Sequence, residues 1–415
     1  MASTSIDSNY FCDLYSSERM RKIFSDKSRF ESWLKVEVAL SKSLMINGFY
    51  PEKIHSEIQK SARIENLDLN KMKQEYDRIG FPISPFVHQL ANSCNPEASK
   101  WIHWGATTQD VIDSGLVLQM KNALIVIDQD VKQIINLLSS IVKKYRSSVM
   151  IGRTFMQQAA PITFGFKAAI WLDECLRHLQ KLDYIKDRLF TAQLGGAVGN
   201  LATFGCKGLD VRRDFCKELN LKEPEISWHT SRDVWAEIIF WNASLCATFS
   251  KIATEISTLM RTEVNELREG FSPGRGSSST MPQKRNPIFA PPIIAISNKS
   301  RELVSSQLVA MIQEHERSVA TQPLEWLTIP ESFLLISGSI KHMKNLLENL
   351  EIDEHKMNSN FRNSGGFLMA ESVMMGLAKS IGKLKSHELV ASISVNAIKE
   401  KRLLKDALLE DKVIR

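Results

Sequence analysis

The chain has 415 residues, 43% of them hydrophobic and 24% charged, with 53 basic against 47 acidic side chains and a net charge of +6. That length exceeds one ordinary core and implies two or three packed units, or one elongated helical domain. So small and diffuse a positive bias argues against a nucleic-acid surface and is compatible with an anionic substrate.

The six cysteines form no close C-x-x-C pair, which argues against a zinc site or a disulfide framework and for a reducing compartment. The start, MASTSIDSNYFCDLYSS, lacks a basic stretch followed by an apolar one, and no apolar run is long enough to span a bilayer. A cytoplasmic protein with no membrane partner is therefore expected. Residues 1–106 read as short helical pieces broken by GFYPEK and GFPISPF, an N-terminal domain. Long helices are expected over 107–330: one from Thr108 to Ser147, with no proline and the single glycine Gly115, and a second from about Pro161. A third runs from Asp233 to Arg268, and a fourth from Pro292 to about Gln313. A fifth starts after Pro330, inside a helical C-terminal domain over 331–415. Strand signals are scarce, and QLGGAVGN (Gln193 to Asn200) reads as a flexible connector rather than a dinucleotide fingerprint. The expected class is all-α: three helical domains around a long central bundle, whose broad apolar faces are buried by oligomerisation.

Four polar islands interrupt the helices: HWGATTQD (His103 to Asp110), GRTFMQQAAP (Gly152 to Pro161), SWHTSRD (Ser227 to Asp233) and GRGSSSTMPQKRNP (Gly274 to Pro287). Each falls at an expected helix end, where unpaired backbone donors can hold an anion. Taken singly, the first three have plain explanations. Thr107, Thr108 and Asp110 suit a helix cap, Arg153 and Gln157 a surface pair, and His103 and His229 packed histidines beside tryptophans. The fourth does not reduce to a linker. Glycines and serines at one end and Pro282 and Pro287 at the other suit a lid that closes over substrate. Lys284 follows Ser278 by six residues, and if the loop folds back it favours an alkoxide or a bound carboxylate there.

Residues Ser278 to Pro287 match the S-S-x-M-P-x-K-x-N-P signature of the fumarase/aspartase superfamily, whose members are helical lyases. HWGATTQD resembles that family's H-x-G-x-T-S-x-D segment, GRTFMQQAAP its G-R-T-H-x-Q-x-A-x-P segment, and QEHERS (Gln313 to Ser318) a segment of its adenylosuccinate lyase and cycloisomerase branches. The resemblance implies a homotetramer with active sites built from three subunits, acting on a small anionic polycarboxylate without metal or organic cofactor. It implies a proton abstracted beside a carboxylate and an enediolate-like intermediate. Ser278 would be the base, with Lys284, Asn286 and His103 in the catalytic set. Thr107, Thr108, Gln157, Arg153, His229, Arg232 and Met281 would bind substrate, and Ser277 adds a further candidate hydroxyl.

Phe155 stands where elimination enzymes of the family carry a histidine, so the proton donor is absent or moved to His103 or His229. Glu325 and Trp326 follow QEHERS where a phosphate-binding arginine belongs, which argues against a nucleotide substrate. Both departures, and the W-H-T-x-R-D run at Trp228 to Asp233, resemble the bacterial 3-carboxy-cis,cis-muconate cycloisomerase branch, where ring closure has less need of a separate acid. The alternatives are a fumarate-releasing lyase such as adenylosuccinate lyase, and an inactive structural paralogue. The end at LLEDKVIR is expected to leave the third domain incomplete.

Overall fold

The computed structural model describes residues 4–270, 276, 280, 281 and 283–414. The fold is built from helices, as expected. Those that carry the argument are α1 (Asp26–Ile46), α2 (Thr108–Lys144), α3 (Phe164–Leu189), α4 (Asp233–Leu259), α5 (Ala290–Ala310) and α6 (Thr321–Glu348). Two small antiparallel pairs accompany them: β1 (Val149–Thr154) with β2 (Gln157–Thr163), and β3 (Leu267–Arg268) with β4 (Glu351–Ile352).

The chain forms two compact units. The first comprises Met1–Val131, Arg177–Phe249 and Pro292–Lys341; the second comprises Lys132–Leu176, Ser250–Pro291 and His342–Arg415. In the first unit α1 buries Trp33, Leu34, Val36, Leu40 and Leu44, and Trp33 meets Phe86 edge-on. The lone glycine of α2 is explained here. A Cβ on Gly115 would lie 2.7 Å from Trp33 Cδ1, so only glycine lets the helix pass this close to the indole. In the second unit Val390, Leu404 and Leu408 form a small buried cluster, with Phe367, Met374, Leu377 and Ile393 packed against it.

Three expectations about elements change. Residues 149–163 are a hairpin, not a helix end: Ile151 faces Pro161 across the pair, and α3 starts at Phe164, where Thr163 Oγ1 accepts from Phe166 N. The two-residue turn, Phe155–Met156, lacks the Asn-Gly signature that identifies such turns in a sequence. The third long helix ends at Leu259 rather than Arg268. The fifth starts at Thr321 and carries Pro330 inside it, so the boundary expected at 330 falls within a helix. Proline removes only the bond to the Trp326 carbonyl. Ile329, Phe333, Ile336 and Ile340, all buried, carry the apolar face through the interruption.

Candidate active site

The start of α2 is organised around one carboxylate. Asp110 Oδ2 accepts from Thr107 N at 3.0 Å and from Gly196 N at 2.9 Å, while Oδ1 accepts from Gly195 N at 2.8 Å and faces His229 Nε2 at 2.8 Å. The Thr107 contact is half of a capping box, with the third helical residue reaching back to the cap amide. The other contacts fasten QLGGAVGN at Gly195 and Gly196, so its first half, Gln193 to Gly196, is buried and fixed rather than a flexible connector, while Ala197, Val198 and Asn200 are exposed. Gly195 is required there: a Cβ would sit 2.7 Å from Ser227 Oγ. Because the Asp110 carboxylate only accepts, His229 Nε2 carries the proton. His229 Nδ1 is buried with no hydrogen-bond partner among the described residues.

One turn further along α2, Asp113 accepts from Arg232 Nη1 at 2.7 Å and Nη2 at 3.2 Å. Glu325 accepts from Arg232 Nε at 2.9 Å and Nη2 at 2.6 Å. The guanidinium lies 3.8 Å from the centre of the Trp235 ring and 5.3 Å from that of Trp228. Burial opposes its charge, but the two carboxylates outweigh that and raise its pKa, so the group is an internal cation. This corrects two expectations. Arg232 turns its donors on its own core rather than toward a substrate. Glu325, also buried and further bonded to Gln307 Nε2 at 3.1 Å, is a counter-ion whose presence says nothing about a phosphate.

His103 is held by Glu37 of α1. Glu37 Oε1 lies 2.6 Å from His103 Nδ1, and Oε2 accepts from its backbone N at 3.0 Å. The residue has φ +58°, a left-handed conformation uncommon outside glycine that the double contact sustains. Burial alone would lower the imidazole pKa. The Glu37 charge and hydrogen bond, helped by Asp110, more than offset this and hold it above the ordinary histidine value. Thr107 and Thr108, a few residues on, remain partly exposed. Arg317 of QEHERS reaches the same region, donating from Nε to Gln109 Oε1 and from Nη2 to Ala197 O, while Gln109 Nε2 donates to His229 O.

The second unit carries the remaining candidates. Phe155 and Met156 form the hairpin tip, both with positive φ, and Phe155 is 98% exposed. Close behind the tip, opposite Gln158, Arg153 pairs through both terminal nitrogens with Glu266, which also accepts from Asn360 Nδ2. Arg153 thus braces the hairpin, and Gln157 is exposed beside the tip. Ser277 and Ser278 lie outside the described residues. Of the signature loop, Met281 and Lys284 are exposed, Lys284 N donates to Met281 O, and Asn286 N donates to Gly276 O at 3.0 Å. Arg285 pairs with Glu351. Beyond the loop, Glu269 accepts from the backbone amides of Ile288, Phe289 and Ala290. The backbone donors at the start of α5 are thus held by the protein's own Glu269 rather than left open for an anion as the sequence suggested, and at the start of α2 Asp110 takes the cap amide of Thr107.

Comparison with known proteins places this arrangement. The family described as Lyase matches residues 15–299, and that described as Adenylosuccinate lyase C-terminus matches 366–415. The chain is a lyase of the fumarase/aspartase superfamily. This lyase is 36% identical to 3-carboxy-cis,cis-muconate cycloisomerase of Acinetobacter baylyi, over 97% of its own length and 90% of the relative's. It is 35% identical to N-acetyl-S-(2-succino)cysteine lyase of Enterococcus italicus, over 100% and 91%. Its fold superposes on the crystal structure of the 3-carboxy-cis,cis-muconate lactonizing enzyme of Pseudomonas putida with a TM-score of 0.90 at 33% identity, covering 98% of this chain and 91% of that one.

Sequence reasoning missed Glu37, Asp113, Glu266 and Glu269, the acidic residues that hold the candidates in place. Each reads as ordinary helix or strand-end charge. The one usable signal was spacing: Asp110 and Asp113 three apart on one helix, His229 and Arg232 three apart on one segment.

Proposed function

We propose that this lyase catalyses a reversible addition or elimination next to a carboxylate, in which a carboxylate of a small unsaturated tricarboxylate adds across a double bond to give a lactone. Ser278 is the base in this reading, and the enediolate-like charge is stabilised by Lys284 and Asn286. In this reading Thr107, Thr108 and Gln157 bind the substrate's carboxylates, and Met281 and the Asp110-held His229 belong to the same substrate-binding set. The observation that carries the reading is Phe155 at the exposed hairpin tip. A benzyl side chain cannot transfer a proton, and ring closure has less need of one than loss of a separate leaving group. Exposed Phe166, Ile170, Phe240, Leu308 and Leu327 on the long helices, with Ile312 just past α5, support a homotetramer with shared sites, which this reading places in the cytoplasm.

A fumarate-releasing elimination is the second reading. It is favoured by His103, which Glu37 biases toward the protonated form and which could serve a leaving group in place of the missing histidine. Absorbance assays of the purified protein with 3-carboxy-cis,cis-muconate, adenylosuccinate and N-acetyl-S-(2-succino)cysteine separate the two. Turnover of the first alone is expected; fumarate from either of the others transfers the function to the second reading. Ser278→Ala should abolish turnover with the oligomer intact, and residual activity would remove the base assignment. Inactivity on all three by an intact tetramer would favour a structural paralogue. A stable monomer in solution would exclude shared sites.

A further inference from the structure

The exit of the signature loop is unusual in its donors. From Asn286 the sequence runs Pro287, Ile288, Phe289, Ala290, Pro291, Pro292. Prolines carry no N–H, so only three backbone donors exist between Asn286 and Ile293. Glu269, the residue just after β3, accepts from all three. Oε2 takes Ile288 N at 2.7 Å and Phe289 N at 2.9 Å; Oε1 takes Ala290 N at 2.9 Å. Glu269 is 5% exposed, so these are desolvated, charge-assisted bonds at the start of α5, where the helix dipole adds to them. The residues next to Glu269 are committed elsewhere: Glu266 binds Arg153 and Asn360, and Arg268 Nε donates to Asn265 Oδ1.

The next bonds inward from this junction are Asn286 N to Gly276 O and Lys284 N to Met281 O. Gly276 has φ +67°, and a Cβ on it would meet Asn286 O at 2.7 Å, so these two residues meet backbone against backbone. The segment bearing Lys284 and Asn286 is thus held from its α5 side by one carboxylate and three φ-restricted prolines.

We infer that Glu269 is a positioning residue for residues 283–286, fixing the point from which Lys284 and Asn286 are presented. The catalytic consequence rests on the function proposed above; the geometric one does not. A simple helix cap would protect only the three amides it touches. A positioning residue also controls the amides of Lys284 and Asn286, which it does not touch.

The test is hydrogen–deuterium exchange resolved to single residues on the full-length wild-type protein, Glu269→Gln and the milder Glu269→Asp. Glutamine keeps the shape but turns a donor toward at least one N–H; aspartate keeps the charge but is too short to reach all three. Amides 288–290 should exchange at least about tenfold faster in Glu269→Gln, the scale of one lost charge-assisted bond. Asn286 and Lys284 should follow, with Glu269→Asp intermediate. If 288–290 accelerate while Asn286 and Lys284 keep wild-type rates, Glu269 is only a cap and the inference fails. If none accelerates, the carboxylate does not hold the junction. With 3-carboxy-cis,cis-muconate, Glu269→Gln should lower kcat about tenfold and leave KM within about twofold, since it disturbs positioning rather than binding. Equal kcat would also overturn the inference. A wild type inactive on that substrate would overturn the proposed function and leave the exchange result standing.

Discussion

His229 Nε2 lies 2.8 Å from Asp110 Oδ1, and three residues later in both segments Arg232 meets Asp113 at 2.7 Å. Two carboxylates spaced i, i+3 on α2 therefore hold two side chains spaced i, i+3 at the entrance to α4. A slip of one residue in either segment would unpair both contacts, so the arrangement fixes register as well as position.

Asp110 should be the most sensitive member. Asp110→Ala leaves four donors facing a buried gap and should cost about 3–5 kcal/mol, because unsatisfied buried polar groups carry their full desolvation penalty. Denaturant unfolding of the purified protein checks this. A loss below about 1 kcal/mol, the scale of a surface contact, would mean that the carboxylate does not organise the segment.

Arg232 and Glu325 should behave as a structural pair. Arg232→Met strands two buried carboxylates and should lower stability by about 3–5 kcal/mol, whereas Arg232→Met combined with Asp113→Leu and Glu325→Leu should recover much of it. Thermal unfolding of the single and triple variants decides this. A single variant that raised KM at unchanged Tm would return Arg232 to the substrate.

His103 gives a pH signature. Its pKa is raised in the folded protein, so the Glu37 contact stabilises the fold below the unfolded histidine value, and the contribution is lost as pH rises through the folded value. Following the His103 ring by NMR should place its midpoint above the ordinary histidine value in the wild type and lower in Glu37→Gln. If His103 is the proton donor of the second reading, the alkaline limb of the rate profile should move down with it. A titration indifferent to Glu37→Gln would dissolve the pairing.

The hairpin tip should trade stability for function. Two non-glycine residues with positive φ are each strained by about 1–2 kcal/mol. Phe155→Asn with Met156→Gly, the residues this turn prefers, should stabilise the fold by about 1–2 kcal/mol while lowering turnover. Paired unfolding and activity measurements decide it; a variant both more stable and fully active would show that the aromatic tip is dispensable.

The sequence was most readable where periodicity and a long motif agree. The helices and the ten-residue signature pointed to the fold and the superfamily. It was least readable where structure depends on a contact far along the chain. Asp110 reads as a cap, but its bonds to Gly195 and His229 come from some 85 and 119 residues away. The hairpin was hidden because Phe155 and Met156 carry no turn preference, and the helix through Pro330 because burial outweighs one missing bond. Glu325 misled for a related reason: its position in the motif was clear, but its direction depended on Arg232.

The carboxylates at the starts of α2 and α5 bear on how such a scaffold diversifies. With Asp110 occupying the amides of Thr107, Gly195 and Gly196, and Glu269 those of Ile288, Phe289 and Ala290, these six backbone donors are closed to an incoming acid, and its recognition shifts toward hydroxyl, amide and ammonium groups on side chains. Backbone donors cannot be exchanged by point mutation, whereas each of these side chains can. A frame closed by its own acids leaves its selectivity open to change one codon at a time.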